Sequence, residues 1–427
     1  MSKKFLVIGS GGREAAMLWK LAQENPGAEL YCAPGNAGIS HSQRVTCVNI
    51  NVTDIPALVQ FASINKIDLT ICGPEVPLIG GAADQFAAAK LLFCGPSSTA
   101  AYNSEGSKAN FKRILEKYHI PTAPFKVFDD WRKGLDYVKA LGAENIVIKA
   151  DGLAAGKGVD LPDDEVAAEI TLKEMMVDKK LGSAADVVVI ENRLYGYECS
   201  AMGVTDGWRV HLFPYTQDHK RALDGDKGKN TGGMGAYTMA LSPGIQNKIE
   251  STVKRILDAL AQEGCFYKGF IYVGFIITKD GPMVLECNCR LGDPETQAIL
   301  PVINGFTNLC MGAAEGNLLG IPPPAQTGES LCIVLSSLEY PEPSARDVPI
   351  AGLKMAESLG ALVFHAGTGW KEDTYTTNRS GRILNVVGRG QTLAAAHNIA
   401  YQAAGAIITK GALRFRSDIG ALALENT

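Results

Sequence analysis

The feature that most constrains the fold is an alternation of short apolar runs and amphipathic stretches in the first hundred residues. Apolar runs at Phe5–Ile8, Leu69–Cys72 and Leu91–Cys94 are separated by helix-like stretches that include Glu14–Gln23 and Ala82–Ala89. Such alternation predicts βαβ units and a parallel sheet. Each apolar run ends in glycine or proline, so we expect the turns to line the carboxyl edge of the sheet, where ligands bind.

The chain is too long for one compact core, because 427 residues exceed the usual size of a domain. We predict a Rossmann-like parallel-sheet domain over 1–103, a larger α+β domain over 104–324 and a small closing α+β domain over 325–427. The run Pro322-Pro323-Pro324 indicates the second linker. The closing domain is predicted to hold an antiparallel sheet and a helix, from strand-like runs at Leu331–Leu335, Ala361–His365 and Ile383–Val387 and an Ala-rich stretch at Leu393–Ile408.

Charge and composition favour a small-molecule substrate. The formal net charge is -4 with basic and acidic residues interleaved, so no strong field would gather nucleic acid or anionic lipid. No apolar stretch approaches the ~20 residues of a membrane span, and ten scattered cysteines form no CxxC pair. We therefore expect a cytoplasmic protein with reduced thiols and no nucleic-acid or membrane partner.

The turn Gly9-Ser10-Gly11-Gly12 lies between a predicted strand and a predicted helix. It matches only half of the dinucleotide fingerprint, because Glu14 occupies a position where Gly or Ala would permit close helix packing. The next strand-like segment, Leu30–Pro34, ends without an acidic residue for a ribose hydroxyl, which argues against NAD. Two readings stay open here: a phosphate bound at the helix N-terminus, or a tight turn without a ligand.

A loop rich in glycine and alanine, Lys149–Gly158, follows the predicted strand Ile146–Ile148. It is not a Walker A loop, because three residues separate Gly152 from Gly156 and Gly158 replaces the Ser or Thr that binds Mg²⁺. Glycine N–H groups and two lysines still suit a phosphate. A flexible solvated turn would explain the glycines alone.

The segment Leu285–Arg290 is predicted to be a strand with a chemical face and a core face. Glu286, Asn288 and Arg290 then point to one side, whereas Cys287 and Cys289 point to the other. A carboxylate and an amide oxygen are hard ligands that suit Mg²⁺, and an arginine beside them can stabilise a transferring phosphoryl group. The alternative is an ordinary half-exposed strand with a salt-bridged arginine.

Two polar segments, Thr216–Arg221 and Asn230–Tyr237, are predicted to be loops. The first contains His219, which could serve as a general base. A lone histidine is more often structural, and we favour that interpretation.

Taken in order, these segments resemble the glycinamide ribonucleotide synthetase family (phosphoribosylamine–glycine ligases) of the ATP-grasp superfamily. The resemblance covers essentially the whole chain, and the run Arg290–Gln297 matches the family signature. It also rests on Gly9–Glu14, Ala33–Gly38, Gly73–Glu75, Glu105–Lys108, Lys149–Val159, Gln217–Arg221, Asn230–Tyr237 and His365–Thr368.

The resemblance implies an ATP site with a mobile lid at about 122–190. Lys108 and Lys149 would contact the phosphates, and the loop of Gly156, Lys157 and Gly158 would close over them. The resemblance also implies adenine contacts from Glu191 and the backbone of Leu194, ribose contacts from Glu198, and Mg²⁺ or Mn²⁺ carried by Glu286 and Asn288.

The family reaction passes the γ-phosphate of ATP to glycine, and the amine of 5-phosphoribosylamine then displaces phosphate from glycyl phosphate. The resemblance implies that the products are glycinamide ribonucleotide, ADP and phosphate, made for purine biosynthesis by a monomer. The implied catalytic residues are Arg290, Lys157 and Asp218. The implied substrate-binding residues are Gly11, Gly12, Asn36, Glu75, Lys220 and Asp293.

Some positions depart from the family pattern without removing a predicted metal ligand or phosphate lysine. They are Ala15, Asn192, Arg193, Lys229, Leu338, Glu339 and Ser380. The competing readings are another ATP-grasp ligase of purine synthesis, which the Arg290–Gln297 signature disfavours, and an inactive homologue. Retention of Glu286, Asn288, Lys149 and Lys157 argues against the latter.

Overall fold

The computed structural model describes residues 2–41, 44–154, 156, 158–342, 347–378 and 381–425. The first hundred residues form a parallel sheet in the order β3-β2-β1-β4-β5, as the sequence predicts. Its elements are β1 Lys4–Gly9, α1 Gly12–Glu24, β2 Glu29–Pro34, α2 Ala37–Ser40, β3 Val45–Cys47, α3 Ile55–Asn65, β4 Leu69–Cys72, α4 Glu75–Ile79, α5 Ala82–Ala88 and β5 Phe93–Cys94.

The strand order of this sheet reverses direction around β1. The chain first steps from β1 to β2 and β3 on one side, and then crosses to β4 and β5 on the other. The turns that follow β1 and β4 therefore flank the switch point, where open parallel sheets bind ligands. These turns contain Gly9–Gly12 and Gly73–Glu75.

A helical connection leads from this sheet into a separate four-stranded layer. The connection comprises α6 Ser98–Ala101, a π-helical turn Tyr102–Gly106 and α7 Lys108–Lys117. The layer has the strand order β6-β9-β7-β8 and its own apolar core. It consists of β6 Phe125–Phe128, α8 Trp131–Leu141, β7 Ile146–Ala150, β8 Val159–Asp160, α9 Glu165–Met176 and β9 Val188–Asn192.

The largest sheet crosses the middle of the molecule in the order β17-β16-β10-β12-β15-β20-β24-β21. Its central part and the helices beside it are β10 Tyr197–Thr205, β11 Val210–Leu212, β12 Thr216–Asp218, β13 Arg221–Leu223, β14 Lys227–Asn230, β15 Gly235–Thr238, α10 Pro243–Gln262, β16 Gly269–Thr278, β17 Gly281–Asn288, α11 Glu295–Ile299, β18 Ile303–Asn304, α12 Phe306–Glu315 and β19 Ala325–Gln326. The segments predicted as loops thus contain short strands, β12 and β15, which pair with each other. Polar, glycine-rich segments have no apolar alternation that predicts a strand. These two form strands because they pair with each other inside a larger sheet.

The C-terminal region extends the same sheet. It contains β20 Glu329–Ser337, α13 Leu353–Ser358, β21 Leu362–His365, β22 Thr368–Lys371, β23 Thr374–Thr377, β24 Arg382–Gly390, α14 Leu393–Ala406, β25 Leu413–Arg414 and α15 Ala421–Glu425. The antiparallel pairing that the sequence predicts is confirmed. Because β20 pairs with β15, this region is joined to the central domain by backbone hydrogen bonds as well as by packing.

The cysteines and the helices can be compared with what the sequence predicts for them. All ten cysteines are free thiols, and most are buried. Within the ranges that the structure describes, no helix combines the length and the apolar character needed to cross a bilayer.

Candidate active site

Strand β17 carries the predicted metal ligands, and its burial pattern follows the predicted alternation. Cys287 and Cys289 are buried in the core, whereas Glu286, Asn288 and Arg290 are only half-buried. A bulge lies at Leu285, between the pairs that join β17 to β16. Glu286 and Asn288 therefore share the face of β17 that is directed away from the core.

Lys220 lies among three carboxylates. Its Nζ is 3.0 Å from Glu198, 3.6 Å from Glu286 and 3.9 Å from Asp218. Burial disfavours the charge of Lys220, but Asp218, Glu198 and Glu286 outweigh it and raise its pKa. The structure thus brings together four of the residues that the sequence assigned to ATP, metal and substrate.

Glu286 is held in its ionised form. Burial alone would raise its pKa, but Lys220, Lys149 and Lys108 together lower the pKa below its ordinary value. An ionised carboxylate is the form that binds a divalent cation. Among the described residues no three His, Cys, Asp or Glu side chains form a metal cluster, but a Mg²⁺ shared with nucleotide phosphates needs only one or two protein oxygens.

Asp218 has a neighbour that the sequence did not assign, Glu295 at the start of α11. Burial raises the pKa of both carboxyl groups, and the charge of Glu295 adds to the effect on Asp218. Lys220 opposes the rise of the pKa in both groups. Two such buried carboxyl groups are a candidate site for an ammonium group, whose positive charge would favour their ionised form.

Lys149, one residue before the end of β7, is paired with a buried carboxylate. Its Nζ lies 2.8 Å from Glu191 Oε1 and donates to the carbonyl of Leu285 at 3.3 Å. Glu191 is only 3% exposed and also accepts a hydrogen bond from Lys112 at 3.0 Å. The Glu191 side chain is therefore occupied by two lysines.

Lys108 stands at the first turn of α7 and faces the same space. Its Nζ donates to the carbonyl of Gly152 at 3.0 Å. Asp151 accepts from Ser107 Oγ at 2.9 Å and from the N–H of Ala109 at 2.7 Å, so its carboxylate caps the N-terminus of α7. These bonds attach the beginning of the glycine-rich loop to α7.

The far end of that loop approaches a second glycine-rich segment. Gly156 has φ +77°, and a Cβ built there would lie 3.1 Å from the carbonyl oxygen of Thr231. A Cβ on Gly158 would lie 2.6 Å from the Cβ of Ala154. Both glycines are thus required by close approach, and Gly156 also by its left-handed backbone. Lys157 lies outside the described residues.

Arg290 connects the large sheet with the N-terminal domain. Its guanidinium lies 3.0 Å from Glu105 in the π-helical turn and 3.4 Å from Glu75 at the start of α4. Glu105 also accepts from the backbone N–H of Cys289 at 2.8 Å. Arg290 is therefore held between the predicted phosphate region and the switch point of the parallel sheet.

The turn after β1 is organised around Glu14. Its Oε2 accepts from the N–H of Gly11 at 2.6 Å, and its Oε1 accepts from Arg13 Nε at 2.7 Å. A Cβ on Gly73 would lie 1.7 Å from Glu14, so this glycine makes room for the carboxylate. Glu14 occupies the fingerprint position where Gly or Ala permits close helix packing, and its side chain fills the space beside Gly9 and Gly73. The N–H of Gly11 is already used in this arrangement.

Two predicted substrate residues contact other parts of the protein. A Cβ on Gly12 would lie 2.1 Å from Asn385 on β24. Asn36 caps α2 by accepting from Ile39, and it donates to the carbonyls of Ser10 and His365 at 2.9 Å each. The conformations of both residues are therefore explained by packing between the N-terminal and C-terminal regions.

Asp293 also lies at this junction. Its Oδ1 accepts from Gln297 at 2.7 Å and lies 3.3 Å from Arg382 on β24. Burial would raise the pKa of Asp293, but Arg382 and Arg13 lower it, so the group is ionised. Its second oxygen, Oδ2, would be 3.4 Å from a Cβ on Gly11, which places the carboxylate beside the turn after β1.

His219 stands between Asp218 and Lys220 in the chain and is half-buried. Burial and the charge of Arg416 lower its pKa to about 4, so the ring is neutral near pH 7. Its ring packs 5.9 Å from that of Tyr237. The interpretation of His219 as structural agrees with this environment.

Several charged residues of the site have no assignment from sequence reasoning. Glu105 belongs to the matched Glu105–Lys108 motif and Glu295 to the Arg290–Gln297 run. Both residues could therefore have been proposed as site residues from the sequence. Arg382 carried none, because its contact with Asp293 joins residues far apart in the chain. Leu194 lies half-buried in the loop between β9 and β10.

Three features define an ATP-grasp enzyme. They are the four-stranded layer β6-β9-β7-β8, which we call the lid layer, the large sheet with its lysines and carboxylates, and the glycine-rich loop between β7 and β8. Models of the phosphoribosylglycinamide synthetase N domain, ATP-grasp (A) domain and C domain match residues 3–102, 106–296 and 330–422. The chain therefore belongs to the phosphoribosylglycinamide synthetase family.

Individual relatives match over nearly the full chain. A phosphoribosylamine–glycine ligase of Caldanaerobacter subterraneus subsp. tengcongensis is 41% identical, covering 98% of this chain and 99% of the relative. One from Vibrio cholerae is 44% identical, covering 97% of each. The crystal structure of a phosphoribosylamine–glycine ligase from Thermotoga maritima superposes with a TM-score of 0.84 at 30% identity, covering 97% of this chain and all of that one.

Proposed function

We propose that this chain ligates glycine to 5-phosphoribosylamine with ATP, forming glycinamide ribonucleotide, ADP and phosphate through glycyl phosphate. The observation that carries the proposal is Arg290, which bridges Glu105 and Glu75. It joins a cation-rich phosphate region to the ligand edge of a parallel sheet. A reaction that activates one substrate and then joins it to a second needs two such regions side by side.

The ATP phosphates are assigned to Lys108, Lys149 and the loop of Gly156, Lys157 and Gly158. Lysine supplies compact positive charge and glycine backbone N–H groups can approach an anion closely. The Glu191 carboxylate is engaged by Lys112 and Lys149, so we assign adenine to the backbone between Glu191 and Leu194. Glu198, on β10 at the rim of the lysine cluster, is assigned to the ribose hydroxyls.

The metal site is assigned to Glu286 and Asn288, whose donor types fit Mg²⁺ or Mn²⁺. Their shared face on β17 and the lowered pKa of Glu286 support the assignment. A bound divalent cation would supply charge neutralisation of the phosphate oxygens during transfer. Lys220 adds positive charge on the same side, 3.6 Å from Glu286.

The first chemical step needs the glycine carboxylate close to the γ-phosphate. We assign the glycine carboxylate to Arg290 and its ammonium to Asp218, whose buried carboxyl group would be ionised by that charge. Lys220 lies 3.9 Å from Asp218 and would orient it. A carboxylate is a poor electrophile until one of its oxygens is phosphorylated and can later leave as phosphate, and closure of the loop at Gly156 would protect the acyl phosphate from water.

The second step needs the amine of phosphoribosylamine on the other side of Arg290. We assign that substrate to the turns after β1 and β4, with Glu75 and Asp293 beside it. Arg13, which is ion-paired with Glu14, offsets the negative charge at the helix N-terminus. Gly11, Gly12 and Asn36 shape this end of the sheet, because a Cβ on Gly12 would clash with Asn385, a Cβ on Gly11 would crowd Glu14, and Asn36 caps α2.

The test is an assay of ADP release with ATP, glycine and freshly generated phosphoribosylamine. Omitting either glycine or phosphoribosylamine should abolish net product formation, and the products should be ADP and phosphate. Release of AMP and pyrophosphate would refute the phosphoryl-transfer chemistry. Ten free thiols support a cytoplasmic location, and the monomeric state stays a prediction.

A further inference from the structure

Lys112 is a buried lysine that none of the assigned functions uses. It lies on α7 with 2% of its surface exposed. Its Nζ donates to Thr122 Oγ1 at 2.7 Å, to the carbonyl of Ala123 at 3.1 Å and to Glu191 Oε2 at 3.0 Å. An ammonium group has three N–H donors, and these contacts satisfy all of them.

The partners of Lys112 belong to different parts of the molecule. Thr122 and Ala123 lie in the segment that enters the lid layer, and Glu191 lies on β9, where the chain leaves that layer. Thr122 Oγ1 in turn donates to the carbonyl of Val284 on β17 at 2.7 Å. Lys112 therefore sits at the base of the lid, beside the strand that carries Glu286.

The Glu191 carboxylate lies between two ammonium groups. Lys112 binds Oε2, and Lys149 lies 2.8 Å from Oε1. Two cations share one anion, so this buried group carries a net positive charge. If Lys112 were absent, the whole attraction of Glu191 would act on Lys149.

The sharing of Glu191 by Lys112 and Lys149 affects how strongly Lys149 can bind a phosphate. An ammonium that is fully paired with a buried carboxylate has less attraction for another anion, and moving it away from that carboxylate would leave a buried charge unpaired. With Lys112 present, Glu191 remains paired when Lys149 turns toward a ligand. Burial lowers the pKa of Lys112 to about 8, although Glu191 opposes the shift, so Lys112 is largely charged near pH 7.

We infer that Lys112 is a positioning residue for ATP: by sharing the Glu191 carboxylate, it leaves the Lys149 ammonium available to the nucleotide phosphates. The inference rests on the proposed contact between Lys149 and ATP. It assigns Lys112 no contact with substrate. Its effect on ATP passes through Glu191, and this makes it separable from a purely structural role.

The decisive experiment is a double-mutant cycle on the ATP KM in the full-length enzyme. Lys112→Met should raise the ATP KM about tenfold, the factor that a charge-assisted hydrogen bond contributes, with the glycine KM changed less than about twofold. In a Glu191→Gln background, adding Lys112→Met should change the ATP KM less than about twofold, because no carboxylate remains to capture Lys149.

A matched lysine on the same helix provides the control. Lys117 pairs with Glu263 at 2.6 Å and is largely exposed, so Lys117→Met should leave the ATP KM unchanged. Thermal unfolding of every variant would be measured alongside. If Lys112→Met does not fold, Lys112→Gln takes its place in the cycle, since an amide can still donate to Thr122 or Ala123 but carries no charge to share the Glu191 carboxylate.

Two results would overturn the inference. One is an unchanged ATP KM in Lys112→Met, and the other is an equal rise in the ATP KM with and without Glu191→Gln. A Lys149→Met variant keeps this outcome separate from failure of the proposed function. If Lys149→Met leaves the ATP KM unaltered, the assignment of Lys149 to ATP is wrong, whereas an altered Lys149→Met beside an unaltered Lys112→Met refutes only the role of Lys112.

Discussion

Replacing Gly156 by alanine should weaken lid closure more than it weakens folding. Gly156 has φ +77°, a backbone conformation that costs an alanine about 1 kcal/mol. The added Cβ would also lie 3.1 Å from the carbonyl oxygen of Thr231, tighter than ordinary contact. Both penalties apply when the loop rests against Thr231 and are relieved when it moves away.

The expected magnitude follows from these two terms. Together they should disfavour the closed loop by about 1.4 kcal/mol, which is roughly a tenfold change in its equilibrium with open states. The ATP KM should therefore rise about five- to tenfold. The midpoint of thermal unfolding without nucleotide should change little, because the open loop escapes the strain.

Gly182→Ala is the matched control, because Gly182 also has positive φ, +60°, but no atom lies within 4 Å of a Cβ built there. Gly182→Ala should lower the free energy of unfolding, because of its positive φ, and leave the ATP KM unchanged. Limited proteolysis between residues 151 and 160 should be slowed by ATP and Mg²⁺ in the parent enzyme and much less in Gly156→Ala. An unchanged ATP KM together with normal nucleotide protection would refute the role given to this loop.

Three further predictions concern charge. Glu286→Gln and Asn288→Leu should lose ligation yet stay folded, and near-normal activity of either at low Mg²⁺ would contradict the metal assignment. Lys220→Met should lose about 2 kcal/mol of folding stability, because Asp218, Glu198 and Glu286 lose the positive charge that lies among them; Lys227→Met, which removes an exposed lysine, is the control. The pKa of His219 is lowered to about 4 in the folded chain. As the pH falls from about 6.5 to 4, the unfolded chain takes up a proton at this residue before the folded chain does, so the free energy of unfolding decreases. Denaturant unfolding of His219→Gln should show a smaller decrease over the same pH range.

Local patterns were sufficient for the secondary structure that positions the site. The apolar run Leu69–Cys72 is a strand with the same bounds in the structure, and the helix-like stretch Ala82–Ala89 forms a helix that ends one residue earlier. The period-two alternation of Glu286 and Asn288 against Cys287 gave the correct faces of β17. Each of these features depends on residues that are neighbours in sequence, so periodicity and turn composition carry the information.

The electrostatic arrangement depends on residues that lie far apart in the chain. Lys112 and Glu191 are separated by 79 positions, and Arg382 and Asp293 by 89. No periodicity links such residues, because their contact is created by the packing of separate layers. The family resemblance implies adenine contacts for Glu191, and no local pattern indicates the two lysines that occupy its carboxylate.

Glu14 shows how one residue can separate a fold from its usual ligand. The sequence establishes that Glu14 breaks the dinucleotide fingerprint, but not what replaces the missing glycine. In the structure its carboxylate takes the N–H of Gly11 and pairs with Arg13, and Gly73 is small enough to leave it space. A parallel sheet that holds a pyrophosphate in dinucleotide-binding proteins thus presents a charged turn near Asp293 here, and this is the turn to which we assign phosphoribosylamine.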